Sequence, residues 1–181
     1  MVEARQGTTV FDLGPNPARQ AAGKTGAPPR REQTAVFVDD FAPDDLYVGL
    51  RTVDLADSDG FGNLRLTNRP GGMLVTCGAA PGNVTLTYRF QAKKGRLSKV
   101  AATLTGTADP ECGGVNQLAL STNGKDWPVT AEGTQKLELA GPAEFAGVRE
   151  LFVRVQLRYR QSPVQTPANA IERLDVRMEC Q

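Results

Sequence analysis

The chain has 181 residues and no histidine, and its 21 Lys and Arg stand against 20 Asp and Glu for a net charge of +1. Without histidine, Ser-His-Asp and Cys-His catalysis and every His-ligated metal site are excluded. The near-neutral charge provides no global field for nucleic acid or an acidic membrane. Hydrophobic residues at 40% and charged residues at 23% allow a buried core, and 19 Gly and 12 Pro suit a turn-rich all-β fold.

Residues 1–34 read as an extended arm. Gly14-Pro15-Asn16-Pro17 and Pro28-Pro29-Arg30-Arg31 are breakers and polar residues, too poor in apolar groups to build a core. Val10, Phe11 and Leu13 form its one apolar cluster and are the expected anchor on a surface, either of its own domain or of another subunit. Gly23-Lys24-Thr25 lacks the earlier glycine of a phosphate-binding loop, since Ala18 stands there. No basic flank followed by an apolar run opens the chain, so no leader is read. We expect a mature chain with an added Met, in an extracellular or periplasmic compartment. Arg outnumbers Lys by 15 to 6 and Ile171 is the single isoleucine, a bias that suits a GC-rich bacterial genome. No stretch approaches the ~20 apolar residues of a membrane span.

From residue 35 to 181 the apolar pattern has period two. Val84, Leu86, Tyr88 and Phe90 alternate with Thr85, Thr87 and Arg89; Leu151, Val153, Val155, Leu157 and Tyr159 alternate with Phe152, Arg154, Gln156 and Arg158; Leu174, Val176 and Met178 alternate with Arg173, Asp175, Arg177 and Glu179. This is half-buried antiparallel strand, with one face to the core and one to water. Shorter runs at 36–41, 46–55, 63–67, 73–77, 99–105, 116–121 and 135–139 bring the total to about ten strands. Residues 142–147 make at most one helical turn. The expectation is an all-β domain, a two-sheet antiparallel β-sandwich of jelly-roll type.

Ser121-Thr122-Asn123-Gly124-Lys125-Asp126-Trp127 resembles the Ser-x-Asp-Gly-x-x-Trp hairpin of bacterial secreted β-sandwiches and the Asp-box turns of sialidase-like proteins, with Asn123 where Asp is usual. The resemblance implies a structural hairpin whose Trp127 covers the core edge; a sugar-stacking platform is the alternative. The opening Val36-Phe37-Val38-Asp39-Asp40-Phe41 and the closing Ala170-Ile171-Glu172-Arg173-Leu174-Asp175-Val176 resemble the ends of carbohydrate-binding-module-like jelly-rolls. That resemblance implies adjacent first and last strands and a structural calcium shared by Asp39, Asp40 and Glu172. Asp57, Asp59 and Asn63 resemble part of an EF-hand-type loop. Leu55 occupies the first ligand position and Leu66 the closing one, so an Asp-rich turn competes with a second calcium site. No other cofactor is implied.

Arg89, Arg154, Arg158, Arg173 and Arg177 share the polar parity of their strands. On one sheet face they would form a row suited to carboxylate or sulfate, or pair with neighbouring acids. The scarcity of interleaved aromatics excludes nucleic acid as a partner. Tyr47, Trp127, Tyr159 and Phe61 are the aromatic candidates for a saccharide. Of three cysteines, Cys77 and Cys112 are expected to form a disulfide at the open end of a hairpin made by 84–90 and 99–105, leaving Cys180 as an inward free thiol. The function expected first is a non-catalytic assembly subunit docking on other protein subunits through the arm, with Arg154, Arg158 and Arg177 as contact residues. The alternative is a lectin-like module of a secreted protein binding a polysaccharide.

Overall fold

In the computed structural model, residues 9–11, 33–41, 52–55, 64–67, 73–76, 81–92, 95–161 and 167–181 are described. They form twelve strands: β1 (Thr9–Phe11), β2 (Gln33–Asp39), β3 (Thr52–Leu55), β4 (Leu64–Thr67), β5 (Met73–Thr76), β6 (Gly82–Ala92), β7 (Leu97–Ala108), β8 (Val115–Ser121), β9 (Val129–Gly133), β10 (Leu137–Ala140), β11 (Glu150–Tyr159) and β12 (Asn169–Cys180). The helical candidate before β11 is a single 3-10 turn, Ala143–Phe145, with Phe145 buried.

The strands make two sheets. The first has the order β6-β11-β8-β9, with β1 and β3 both on the outer edge of β6; the second has the order β10-β7-β12-β5-β4, with β2 also on β12. Taken from β5 to β12, the orders β6-β11-β8-β9 and β5-β12-β7-β10 are those of a jelly-roll. Pairing is antiparallel throughout except for β1, which runs parallel to β6 with Phe11 opposite Ala92. β2 lies antiparallel to β12, Leu174 opposite Asp39 and Cys180 opposite Gln33, so the first long strand and the last are neighbours as the resemblance implied.

Period-two parity decides what the sandwich encloses. Leu86, Leu118, Leu120, Leu151, Val153, Val155, Leu157, Leu174 and Val176 are wholly buried, and Val84, Tyr88 and Phe90 nearly so. A slip of one residue would turn each row to solvent, so this burial fixes the register. Aromatic packing ties the sheets together: Phe37 of β2 meets Phe90 edge-on at 5.1 Å between centroids and Tyr88 at 5.7 Å.

Two polar links also cross the core. The Tyr88 hydroxyl donates to Asp39 Oδ2 at 2.8 Å, joining β6 to β2. Asn169 Nδ2 donates to Asn116 Oδ1 at 2.9 Å, joining β12 to β8. The other oxygen of Asp39 accepts the Phe41 N–H at 2.8 Å. Phe41 is buried with φ 55, a left-handed conformation that a bulky side chain rarely adopts. The Asp39 carboxylate holds that amide and so stabilises the reversal that ends β2.

Two sequence expectations do not hold. The runs 84–90 and 99–105 do not form a hairpin, because β6 and β7 belong to different sheets. Val129–Gly133 is a strand that the sequence reading missed. The arm contributes a strand, Thr9–Phe11, which adds to its own sheet. The expected anchor residue Leu13 lies outside the described residues.

Candidate functional site

The outward residues of the first sheet form a ladder of polar side chains. Arg154 of β11 stands opposite Thr87 of β6 and Ala119 of β8; Gln156 stands opposite Thr85 and Gln117; Arg158 stands opposite Asn83 and Val115. Gln117 in turn faces Glu132 of β9. Side chains on this face alternate along β11 with Val153, Val155 and Leu157, which are packed in the core, so the strand's backbone is held from below.

The loop after β8 brings an aromatic ring onto this face. Ser121 Oγ accepts the N–H groups of Asn123 at 3.2 Å and Gly124 at 2.9 Å. Asn123 Oδ1 accepts those of Lys125 at 2.8 Å and Asp126 at 2.9 Å, while its Nδ2 donates to Asp126 Oδ2 at 2.8 Å. An aspartate at position 123 could accept the same amides but would meet Asp126 with like charge; asparagine supplies a donor instead. Gly124 has φ +69, and a Cβ there would lie 3.1 Å from the Phe152 ring, so the turn sits down on Phe152.

Trp127 then lies against the sheet's outer face. The Arg154 guanidinium carbon is 4.2 Å from its ring centroid. Trp127 is half-buried. A chain of contacts extends from it. Arg154 Nη2 reaches Gln117 Oε1 at 3.5 Å, Gln117 Nε2 donates to Glu132 Oε1, and the same oxygen accepts Arg158 Nη2 at 2.7 Å. Beside it, Arg89 pairs with Glu150 and lies 5.6 Å from the Phe152 centroid.

The five arginines do not share a face. Arg89, Arg154 and Arg158 lie on the first sheet, whereas Arg173 and Arg177 lie on β12 of the second, paired with Asp175 and Glu179. The outer face of the second sheet carries Val36, Val38, Lys99, Ala101 and these ion pairs, with no aromatic among the described residues. Of the aromatic candidates, Tyr159 is buried at 3% exposure and packs with Cys112 and Ala168; a Cβ at Gly82 would overlap its ring. It belongs to the core because it shares the inward parity of β11. Tyr47 and Phe61 lie outside the described residues.

Both Asp39 oxygens take hydrogen bonds inside the core while Glu172 is exposed, and no cluster of three metal-ligating side chains occurs among the described residues. Asp57, Asp59 and Asn63 lie outside the described residues, as does Cys77. Cys112 is buried and its thiol donates to Asp109 Oδ2 at 3.3 Å, which is not the expected bond to Cys77, and Cys180 is a buried free thiol, inward as its parity predicts. No helix among the described residues is long and apolar enough to cross a membrane.

The sequence reading named Arg154, Arg158 and Trp127 but missed Gln117, Glu132 and Gln156. Their only signal was polar parity on strands whose order was unknown.

No family model matches the chain, and no curated protein matches it. Solved structures resemble it in fold. TmCBM27, a carbohydrate-binding module studied for mannan recognition, is 14% identical, with a TM-score of 0.45 over 83% of this chain and 99% of that one. The xylan-binding module CBM86 of Roseburia intestinalis is 12% identical, with a TM-score of 0.41 over 82% and 96%. TmCBM61, solved with β-1,4-galactotriose, is 10% identical, with a TM-score of 0.38 over 81% and 83%. Likeness at this level concerns the fold alone and transfers no ligand.

Proposed function

We propose that this chain is a non-catalytic binding module of an exported protein and that it holds a polysaccharide on the outer face of its first sheet. Trp127 is the stacking platform, and Gln117, Gln156 and Arg158 are the hydrogen-bonding side chains beside it. The observation that carries this reading is the half-buried Trp127, fixed by Arg154 at 4.2 Å over a ladder of planar polar side chains. A sugar ring presents an apolar C–H face and a rim of hydroxyls. An aromatic plane flanked by amides and guanidinium groups matches both. The described part of the arm lies on its own sheet and leaves this face to a ligand.

The test is affinity electrophoresis of the full chain through gels containing a panel of neutral and acidic polysaccharides. Retardation by at least one polymer, lost in Trp127→Ala while the circular dichroism spectrum is retained, is the expected result. Unchanged mobility in every polymer, or retardation that Trp127→Ala leaves intact, would overturn the assignment.

A further inference from the structure

Among the strand arginines whose side chains are described, four are matched with acids. Arg89 pairs with Glu150, Arg158 with Glu132 at 2.7 Å, Arg173 with Asp175 at 2.7 Å, and Arg177 with Glu179 at 3.4 Å. Arg154 is the exception. It has no carboxylate partner among the described residues, and its one polar contact is the long 3.5 Å approach to the Gln117 side chain. Its Nε, like that of Arg158, is buried and has no hydrogen-bond partner, but Arg158 has Glu132 for its other nitrogens and Arg154 has no acid among the described residues. A guanidinium carries five donors in a planar fork, and leaving them unmatched away from water is costly.

The surroundings make the omission specific. Arg154 is on the central strand β11, paired on both sides, so its backbone cannot shift toward an acid. The nearest carboxylate along the contact chain, Glu132, is engaged by Arg158 and Gln117. Trp127 lies over the guanidinium and fixes its plane, which preorganises the fork. Burial pulls this guanidinium below the ordinary arginine value, the direction expected of a cation that lacks a counter-charge.

We infer that Arg154 is the subsite for an anionic group on the bound glycan, so that the ligand is an acidic polysaccharide carrying uronate carboxylates or sulfate esters. The inference rests on the polysaccharide reading above and adds the charge class of the ligand. A planar carboxylate and a tetrahedral sulfate each present a pair of acceptor oxygens that a guanidinium fork can engage with two parallel hydrogen bonds. With a net charge of +1, the chain has no global attraction for polyanions, so a preference for an acidic glycan must be local.

Two matched pairs of polymers separate the sources: polygalacturonate against its methyl-esterified form, and dextran sulfate against dextran. Binding is followed by calorimetry and by Trp127 emission, since an anion at Arg154 changes the charge over the indole. Expected is about 10-fold to 100-fold tighter binding of one acidic member than of its neutral partner, the range for one hydrogen bond to a charged group. Arg154→Gln should abolish that preference and the emission change, Arg154→Lys should retain part of the preference, and Arg177→Gln on the opposite face should change neither. The acidic member that shows the preference identifies the source. Equal affinity for the charged and neutral members, or a preference that survives Arg154→Gln, would overturn the inference while leaving the polysaccharide reading standing. Absence of binding to every polymer would overturn both. If Arg154→Gln does not fold, the comparison of polymers on the unaltered chain and on Arg154→Lys still decides.

Discussion

The strut between Asp39 and Tyr88 lends itself to a quantitative test, because its two partners come from different sheets and each is about 1% exposed. Tyr88→Phe keeps the ring in its stack with Phe90 and its contact with Phe37 but deletes the hydroxyl that donates at 2.8 Å to Asp39 Oδ2. A hydrogen bond to a charged group contributes about 1.5–3 kcal/mol, so the cost should fall in that range. Asp39→Ala removes the acceptor of both the Tyr88 hydroxyl and the Phe41 amide. At about 1–3 kcal/mol per buried group left unsatisfied, and with the left-handed Phe41 losing its hold, about 3–5 kcal/mol is expected. That is a large share of the roughly 5–15 kcal/mol that domains of this kind possess. Urea unfolding of the two single variants and the double variant gives a cycle whose coupling term should be at least about 1.5 kcal/mol at constant m. A cost below about 0.5 kcal/mol for Tyr88→Phe, with the two changes additive, would refute the view that this bond ties the sheets together.

Gly124→Ala should cost about 1–2 kcal/mol, because φ +69 disfavours a side chain and the new Cβ meets Phe152 at 3.1 Å; thermal melts would show it, and an unchanged melting temperature would count against the turn geometry. Gly106→Ala should be worse, about 3 kcal/mol, since the added Cβ would lie 2.5 Å from the Ala170 carbonyl oxygen and 2.7 Å from Ile171 Cα, backbone that cannot swing aside. Mass measurement of the unreduced chain after alkylation in denaturant should find both Cys112 and Cys180 modified, since the Cys112 thiol donates to Asp109 Oδ2; an unmodified Cys112 would instead establish the bond to Cys77. Burial pushes the Cys180 thiol above its ordinary value, so the unfolded chain ionises first and stability should fall as pH rises past about 8.5; a Cys180→Ala variant should lack that component of the pH dependence.

The rows on β6, β11 and β12 were legible in the sequence because runs of seven to nine alternating residues leave no second register. Val129–Gly133 was not, because its inward residues are only Val129 and Ala131, both partly buried against the core. Two mild apolar residues do not outweigh the Pro128 before them. β1 was illegible for a different reason: its three residues become a strand only through the edge of β6, a tertiary fact. At the candidate site, parity correctly turned Arg154 and Arg158 outward. It could not show that Arg173 and Arg177 lie on the other sheet, since strand order is set by the long crossovers of the jelly-roll. Tyr159 was misread for a simpler reason. Its inward parity already placed it with Leu157, and an aromatic residue at a core position is packing. The disulfide expectation rested on a hairpin that does not form. In the structure the Cys112 thiol instead donates to Asp109 Oδ2, within its own loop.

The candidate site divides between two kinds of element. Arg154, Gln156 and Arg158 sit on a strand whose alternate residues are fully buried, so their spacing and direction are set by the core. Trp127 sits on a loop whose conformation is set locally, by one serine hydroxyl and one asparagine amide. Changes in the loop can therefore alter the stacking platform without disturbing the fold, whereas the arginine ladder can change only by substitution in place. On the proposed reading, charge recognition is thus the rigid component of this face and ring recognition the adjustable one. A variant with a short side chain at position 127 would leave Arg154 on the same strand with its unmatched donors. Such a variant should lose gel retardation, and whatever weak affinity calorimetry still finds should keep its preference for the acidic polymer.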